Sequence, residues 1–143
     1  MTLRFRNVTV TPADPVEEWG FEGLLAAVDR GEISDWSRIV SSVRREPWGE
    51  VARMLPQALD AAEDVGVAAT LRHALYRARA TAASNERRDV AEQVRGLIDS
   101  SGLSRQEFAA RIGTSASRLS TYATGKVSPS ATLLLRMQRL ARG

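Results

Sequence analysis

Residues 102–115 constrain this chain more than any other stretch. The run Gly102-Leu103-Ser104-Arg105-Gln106-Glu107-Phe108 marks one helix start in two ways. Ser104 and Glu107 have the spacing of a capping box, in which a hydroxyl and a carboxylate each take an unpaired amide of the first turn. Leu103 and Phe108 stand at the N′ and N4 positions of a hydrophobic staple. Phe108, Ala109 and Ile112 share the inward face, and Gly113 stops the helix after about two turns. Only Thr114 separates Gly113 from Ser115, the next N-cap, where a second short helix starts. That helix turns Leu119 and Tyr122 inward and closes at Gly125.

Two short helices joined through a glycine-containing turn make a helix-turn-helix. Its neighbours fit. Asn85 can cap a preceding helix with Glu86 and Asp89 in the first turn and Val90, Val94, Leu97 and Ile98 on one face, ending at Gly102. Ser128 and Pro129 open a last helix in which Leu133, Leu134, Met137 and Leu140 pack. The outward positions after Ser115 are Ala116, Ser117, Ser120, Thr121 and Thr124, with Arg118 among them. Small polar residues favour caps and turns over helix interiors. A surface chosen for helix stability would show Glu, Lys or Gln there, whereas short side chains let the backbone approach a DNA groove.

The residues before this region read as helical after a short start. Leu3, Phe5, Val8 and Val10 fit one or two extended segments, a short N-terminal arm that ends at Pro12 and Pro15. Asp14, Pro15 and Glu17 predict a helix start, with Phe21, Leu24, Leu25 and Val28 inward and Gly31 at the end. A helix from Ser34 carries Trp36, Ile39, Val40 and Val43. A third carries Val51, Met54, Leu55, Ala58 and Leu59, and Pro56 should kink or divide it. Gly66 ends that helix, and a fourth carries Val67, Leu71, Leu75 and Ala78. The small, polar run Thr81-Ala82-Ala83-Ser84-Asn85 predicts a boundary between residues 1–84 and 85–143.

Charge divides along the same line. Residues 1–84 hold ten Arg against twelve Asp and Glu, while residues 85–143 hold nine Arg and Lys126 against five acids. A basic unit behind a mildly acidic one implies that only the C-terminal part meets a polyanion. The chain has no cysteine, which excludes disulfides, thiolate metal sites and cysteine nucleophiles. Met1 to Asn7 lack the apolar run of a secretory signal, and no stretch of about 18 apolar residues exists to span a membrane.

The run from Gly102 to Ser115, followed by Leu119, Tyr122, Gly125-Lys126 and Ser128-Pro129-Ser130, resembles the lambda-repressor/Cro-like (XRE) helix-turn-helix family over residues 86–142. The resemblance implies an all-α protein: an N-terminal helical module followed by a lambda-repressor-like domain. It implies a bacterial, cytoplasmic, sequence-specific transcriptional regulator that binds double-stranded operator DNA as a homodimer, because one short recognition helix reads only a few base pairs. The helix after Ser115 would enter the major groove. Ala116, Ser117 and Thr121 match base-reading positions, and Arg105, Ser115 and Lys126 match backbone contacts. Arg118, with Thr114 and Ser120, completes the expected interface. One departure stands out: many members carry Gln, Arg or Lys where this chain has Ala116, so phosphate contacts and DNA shape should carry more of the recognition.

Enzymatic function has no support in the sequence. There is no Gly-rich phosphate loop and no nucleophile motif. His73, the one histidine, has neither Cys nor a second His to share a metal, and reads as a packed or surface residue. No cofactor or metal is expected. The clusters Asp60, Glu63, Asp64 and Asp29, Glu32, Asp35 read as solvated faces. Trp19, Trp36 and Trp48 all lie in residues 1–84, as core or as interface. A second reading remains open: an antitoxin that neutralises a partner toxin through residues 1–84 and regulates its own operon. A third is a phage or plasmid repressor whose N-terminal module only dimerises.

Overall fold

The structure, a computed structural model, describes residues 3–6 and 9–143. Among these the regular elements are all helical: a 3-10 turn (Val16–Glu18), then α1 (Gly20–Arg30), α2 (Ile33–Arg45), α3 (Glu50–Ala61), α4 (Val65–Ser101), α5 (Arg105–Ile112), α6 (Ala116–Ala123) and α7 (Ala131–Ala141). The chain divides into two compact units, Met1–Ala82 and Ala83–Gly143.

The first unit starts with an irregular stretch. Val8 lies outside the described residues. Leu3 is buried, and Phe5 meets Trp19 edge-on with ring centroids 5.2 Å apart. The described residues of this stretch thus give side chains to the core and do not pair as a strand. The helix expected from Asp14 and Pro15 is split. Asp14 turns back, its carboxylate accepting the Thr11 N–H at 2.8 Å, and its carbonyl accepts the Trp19 indole N–H at 3.0 Å. Pro15 precedes only the 3-10 turn, and α1 begins at Gly20 with φ +69°, a conformation that interrupts the run. Arg38 fixes the same loop, donating to the carbonyls of Pro12 and of Asp14 (2.8 Å for the latter) with its guanidinium 4.8 Å over the Trp19 ring. The buried Ser42 hydroxyl donates to Glu17 Oε1 at 2.9 Å.

Of the acids expected to form solvated faces, Asp29, Glu32, Asp35 and Asp64 also serve as helix-end devices, while Asp60 and Glu63 are exposed. Glu32 and Asp35 form a capping box that starts α2 at Ile33, one residue before the expected Ser34. Asp29 accepts the N–H groups of Glu63 and Asp64 at 2.9 and 3.0 Å, and Asp64 accepts that of Val67 at 3.1 Å, opening α4. Gly66 lies within this first turn rather than ending α3. Asp60 pairs with Arg72.

Pro56 neither ends nor divides α3. Having no N–H, it leaves the carbonyl four residues earlier, that of Ala52, without its helix partner. Arg79 of α4 supplies one: Nη2 donates to Ala52 O at 3.3 Å and Nε to Pro47 O at 2.9 Å. The same guanidinium lies 4.4 Å over the ring of Trp48. The three tryptophans therefore separate. Trp19 is core, Trp36 is half-buried with its indole N–H donated to Ala27 O at 2.7 Å, and Trp48 is 61% exposed. His73 is an exposed residue of α4.

The largest departure from expectation is α4 itself. The two helices predicted on either side of residues 81–85 are one helix of 37 residues, and Asn85 is an exposed mid-helix residue rather than an N-cap. Residues 81–85 contain no proline or glycine, and their alanines favour helix, so nothing there stops propagation. The spatial division still falls there, between Ala82 and Ala83.

The second unit consists of the later part of α4 with α5, α6 and α7. Val94, Ile98, Phe108, Ala109, Ile112, Leu119, Ala123 and Met137 form its core, flanked by Leu103, Tyr122, Leu133, Leu134 and Leu140. Burying a side chain the size of Phe108 or Leu119 contributes about 1.5–3 kcal/mol each. Ser130, rather than Ser128, caps α7 by accepting the Leu133 N–H at 3.1 Å.

Candidate nucleic-acid interface

Three local devices hold α6 in place. The first is the start of α5. Ser104 Oγ accepts the Glu107 N–H at 3.1 Å, and its hydroxyl lies 3.4 Å from Glu107 Oε1. The expected capping box therefore closes on its hydroxyl side, with the carboxylate turned to the serine side chain. Leu103 and Phe108 belong to one core, as a staple requires.

The second is the turn. Gly113 takes φ +83°, and the N–H of Thr114 reaches back to Ala109 O at 2.9 Å, ending α5 in a tight left-handed cap. Ser115 then starts α6, its hydroxyl oxygen accepting the Arg118 N–H at 3.1 Å.

The third is a pair of arginines on the helix C-termini, where unpaired carbonyls and the helix dipole favour cations. Arg136 of α7 donates to Ile112 O at 3.2 Å, at the end of α5. Arg95 of α4 donates to Ala123 O at 2.6 Å, at the end of α6. Beyond α6 the N–H groups of Lys126 and Val127 both return to Thr121 O, at 3.1 and 3.3 Å. Sequence reasoning did not find Arg95 or Arg136. Surface arginines look alike in a sequence, and only the fold shows which ones meet a helix end.

Every site residue named from the sequence is at least partly exposed. Leu119 and Ala123 are buried and Tyr122 half-buried, so α6 is held by one side. Ala116, Ser117, Arg118 and Ser120 are exposed, with Ser115 at the cap, and Thr121 is half-buried. Ala116 and Ser120 are one turn apart, as are Ser117 and Thr121, so the four make a stripe. Arg105 is exposed at the first position of α5, Lys126 is exposed in the loop after α6, and Thr114 is half-buried in the turn. The ion pairs Arg45–Glu17 and Arg72–Asp60 engage none of these cations. Thr121 is less available than its sequence position suggests, because its hydroxyl donates to Arg118 O at 2.6 Å.

Comparison with known proteins agrees with this geometry. Residues 94–140 match the family model described as Helix-turn-helix. No curated protein and no solved structure matches the chain. The regular elements among the described residues are all helical, and the C-terminal part of the chain carries a match to helix-turn-helix domains of the lambda-repressor-like (XRE) type. That family match supports a DNA-binding transcription regulator of the XRE type. No helix among the described residues is long and apolar enough to cross a membrane.

Proposed function

We propose that the protein is a sequence-specific repressor that binds operator DNA as a homodimer. Residues 85–143 meet the DNA, and residues 1–84 supply dimerisation or partner binding. The observation that carries this reading is α6: a helix whose start, preceding turn and end are all fixed by the fold, presenting small side chains flanked by Arg105, Arg118 and Lys126. In this reading Ala116, Ser117 and Thr121 face base edges in the major groove. Arg105, Ser115 and Lys126 contact phosphates, with Thr114, Arg118 and Ser120 at the margins. Two half-sites about 34 Å apart supply the affinity that one short helix lacks.

The test uses the full-length protein and the duplex it enriches from a random-sequence pool. Binding should weaken steeply with salt, and Arg105→Gln or Lys126→Gln should each reduce the salt slope by about 1 while weakening all sequences alike. Unchanged slopes in both variants would remove these residues from the interface, and no enrichment of any sequence would contradict the reading as a whole.

A second reading, the antitoxin, is favoured by the surface of the first unit. Ile33, Val65 and Tyr76 are each more than 70% exposed, and a cavity of about 150 Å³ lined by Trp36, Gly66, Val67, Thr70 and Leu71 opens between α2 and α4. Tyr and Trp are enriched at protein interfaces, and here Tyr76 is exposed and Trp36 lines the cavity. Co-expression with the product of the adjacent reading frame distinguishes the two. A stable heterocomplex supports an antitoxin, and a homodimer that ignores that product supports the plain repressor.

A further inference from the structure

We infer that the recognition helix reads thymine 5-methyl groups, through the methyls of Ala116 and Thr121, rather than the hydrogen-bonding edges of purines. The inference rests on the proposed DNA-binding role and specifies what in the DNA is read. Three observations lead to it. Ala116, exposed at the first position of α6, offers a methyl and nothing else. Thr121, on the same stripe, has its hydroxyl hydrogen committed to Arg118 O at 2.6 Å, so its remaining offers are a methyl and an acceptor oxygen. Ser117, one turn before it, lies 3.5 Å from Ser115 Oγ, and the Ser115 oxygen is itself occupied by the Arg118 N–H. The stripe therefore holds no side chain able to grip guanine or adenine in the two-pronged way of Arg, Lys, Asn or Gln.

In the major groove the thymine methyl is the one apolar feature by which a base pair announces itself. A methyl on a helix backbone that can come close is its natural counterpart. Arg118, one residue from the stripe and exposed, is long enough to reach past the bases to a phosphate, so the stripe meets the bases with its methyls and with the single hydroxyls of Ser117 and Ser120.

The probe is the duplex that the full-length protein enriches from a random pool, synthesised twice, once with thymine and once with uracil at every thymine position. Uracil pairs identically and lacks only the methyl. One buried methyl corresponds to about a four-fold change in affinity, and one contact in each of two half-sites to about fifteen-fold. The intact protein should prefer the thymine duplex by at least four-fold. Ala116→Gly and Thr121→Ser each delete one methyl and should each lower the thymine-to-uracil ratio toward one. Comparing ratios cancels any loss of helix stability in the variants, and uracil effects on duplex shape, because both apply equally to the two sides of the comparison. A ratio of one for the intact protein overturns the inference. A high ratio that both variants retain overturns it too, by moving the methyl contact elsewhere. Enrichment of no sequence, with no binding to either duplex at low salt, is a failure of the DNA-binding role itself and is distinct from both.

Discussion

Replacing Arg79 by methionine keeps its apolar stem and removes the guanidinium that repairs α3. Three interactions go with it. The hydrogen bond to Pro47 O at 2.9 Å joins a charged donor to a neutral acceptor, and the one to Ala52 O at 3.3 Å is longer and weaker. Stacking over Trp48 is the third, and that ring is mostly exposed, so the stack contributes about 0.5–1 kcal/mol. After allowance for solvent screening of a half-exposed group, the loss is about 2 kcal/mol. The assay is urea unfolding followed by tryptophan fluorescence, which reports the first unit because Trp19, Trp36 and Trp48 all lie there. With a slope of about 1 kcal/mol per molar urea, the midpoint should fall by about 2 M. Pro56→Ala gives the test its specificity. Alanine restores the N–H that pairs with Ala52 O inside the helix, so Arg79→Met should cost about 0.5–1 kcal/mol less in that background. An equal cost in both backgrounds would refute the idea that Arg79 compensates for Pro56, and no cost in either would refute the whole assignment.

Other consequences are open to the same kind of measurement. Gly113→Ala places a side chain in the left-handed region and should destabilise the second unit by about 1–2 kcal/mol in thermal unfolding followed by circular dichroism, while Gly113→Asn should lose less; equal stability of all three proteins would mean the turn is not fixed as described. Glu17 carries a pH dependence. Its backbone N–H, the Ser42 hydroxyl and the Arg45 guanidinium hold the carboxyl below its ordinary value of 4.5. A lowered folded-state value means that this stabilisation is full above the ordinary carboxylate range and is lost as pH falls through the folded-state value. The stability gap between the intact protein and Glu17→Gln should therefore narrow from about pH 6 to about pH 3, and a gap that stays constant would remove the charge from the explanation.

How much of this was legible in the sequence follows from where the information sits. The helix-turn-helix could be read because its boundaries are written by local devices. Ser104, Gly113 and Ser115 act within four residues of themselves, and their spacing survives in any context that folds. The stripe from Ala116 to Thr121 was legible for the same reason. What failed were inferences that took composition as structure. The small residues around Ser84 carry no stop signal, so a predicted boundary became the middle of α4. Asp14 and Pro15 looked like a helix start, but Gly20 set the actual one. Pro56 looked like a breaker because its partner, Arg79, stands far along the chain. Arg95 and Arg136 were hidden likewise, since their roles depend on which helix end the fold brings to them. The capping role of Asp29 was hidden in the same way, because the backbone N–H groups it accepts belong to a loop beyond the next two helices.

The central claim is that the exposed stripe of α6 faces DNA. The most direct measurement is the affinity of the full-length protein for its enriched duplex, beside a Ser117→Glu, Ser120→Glu variant whose fold is checked by circular dichroism. Both positions are exposed, so the variant should fold, and two carboxylates would be driven against the phosphates and base edges. The account predicts that specific binding disappears while the helical signal and the tryptophan-detected stability are unchanged. A variant that folds normally and binds the duplex as tightly as the intact protein would contradict it, and would place the DNA against another face of the domain.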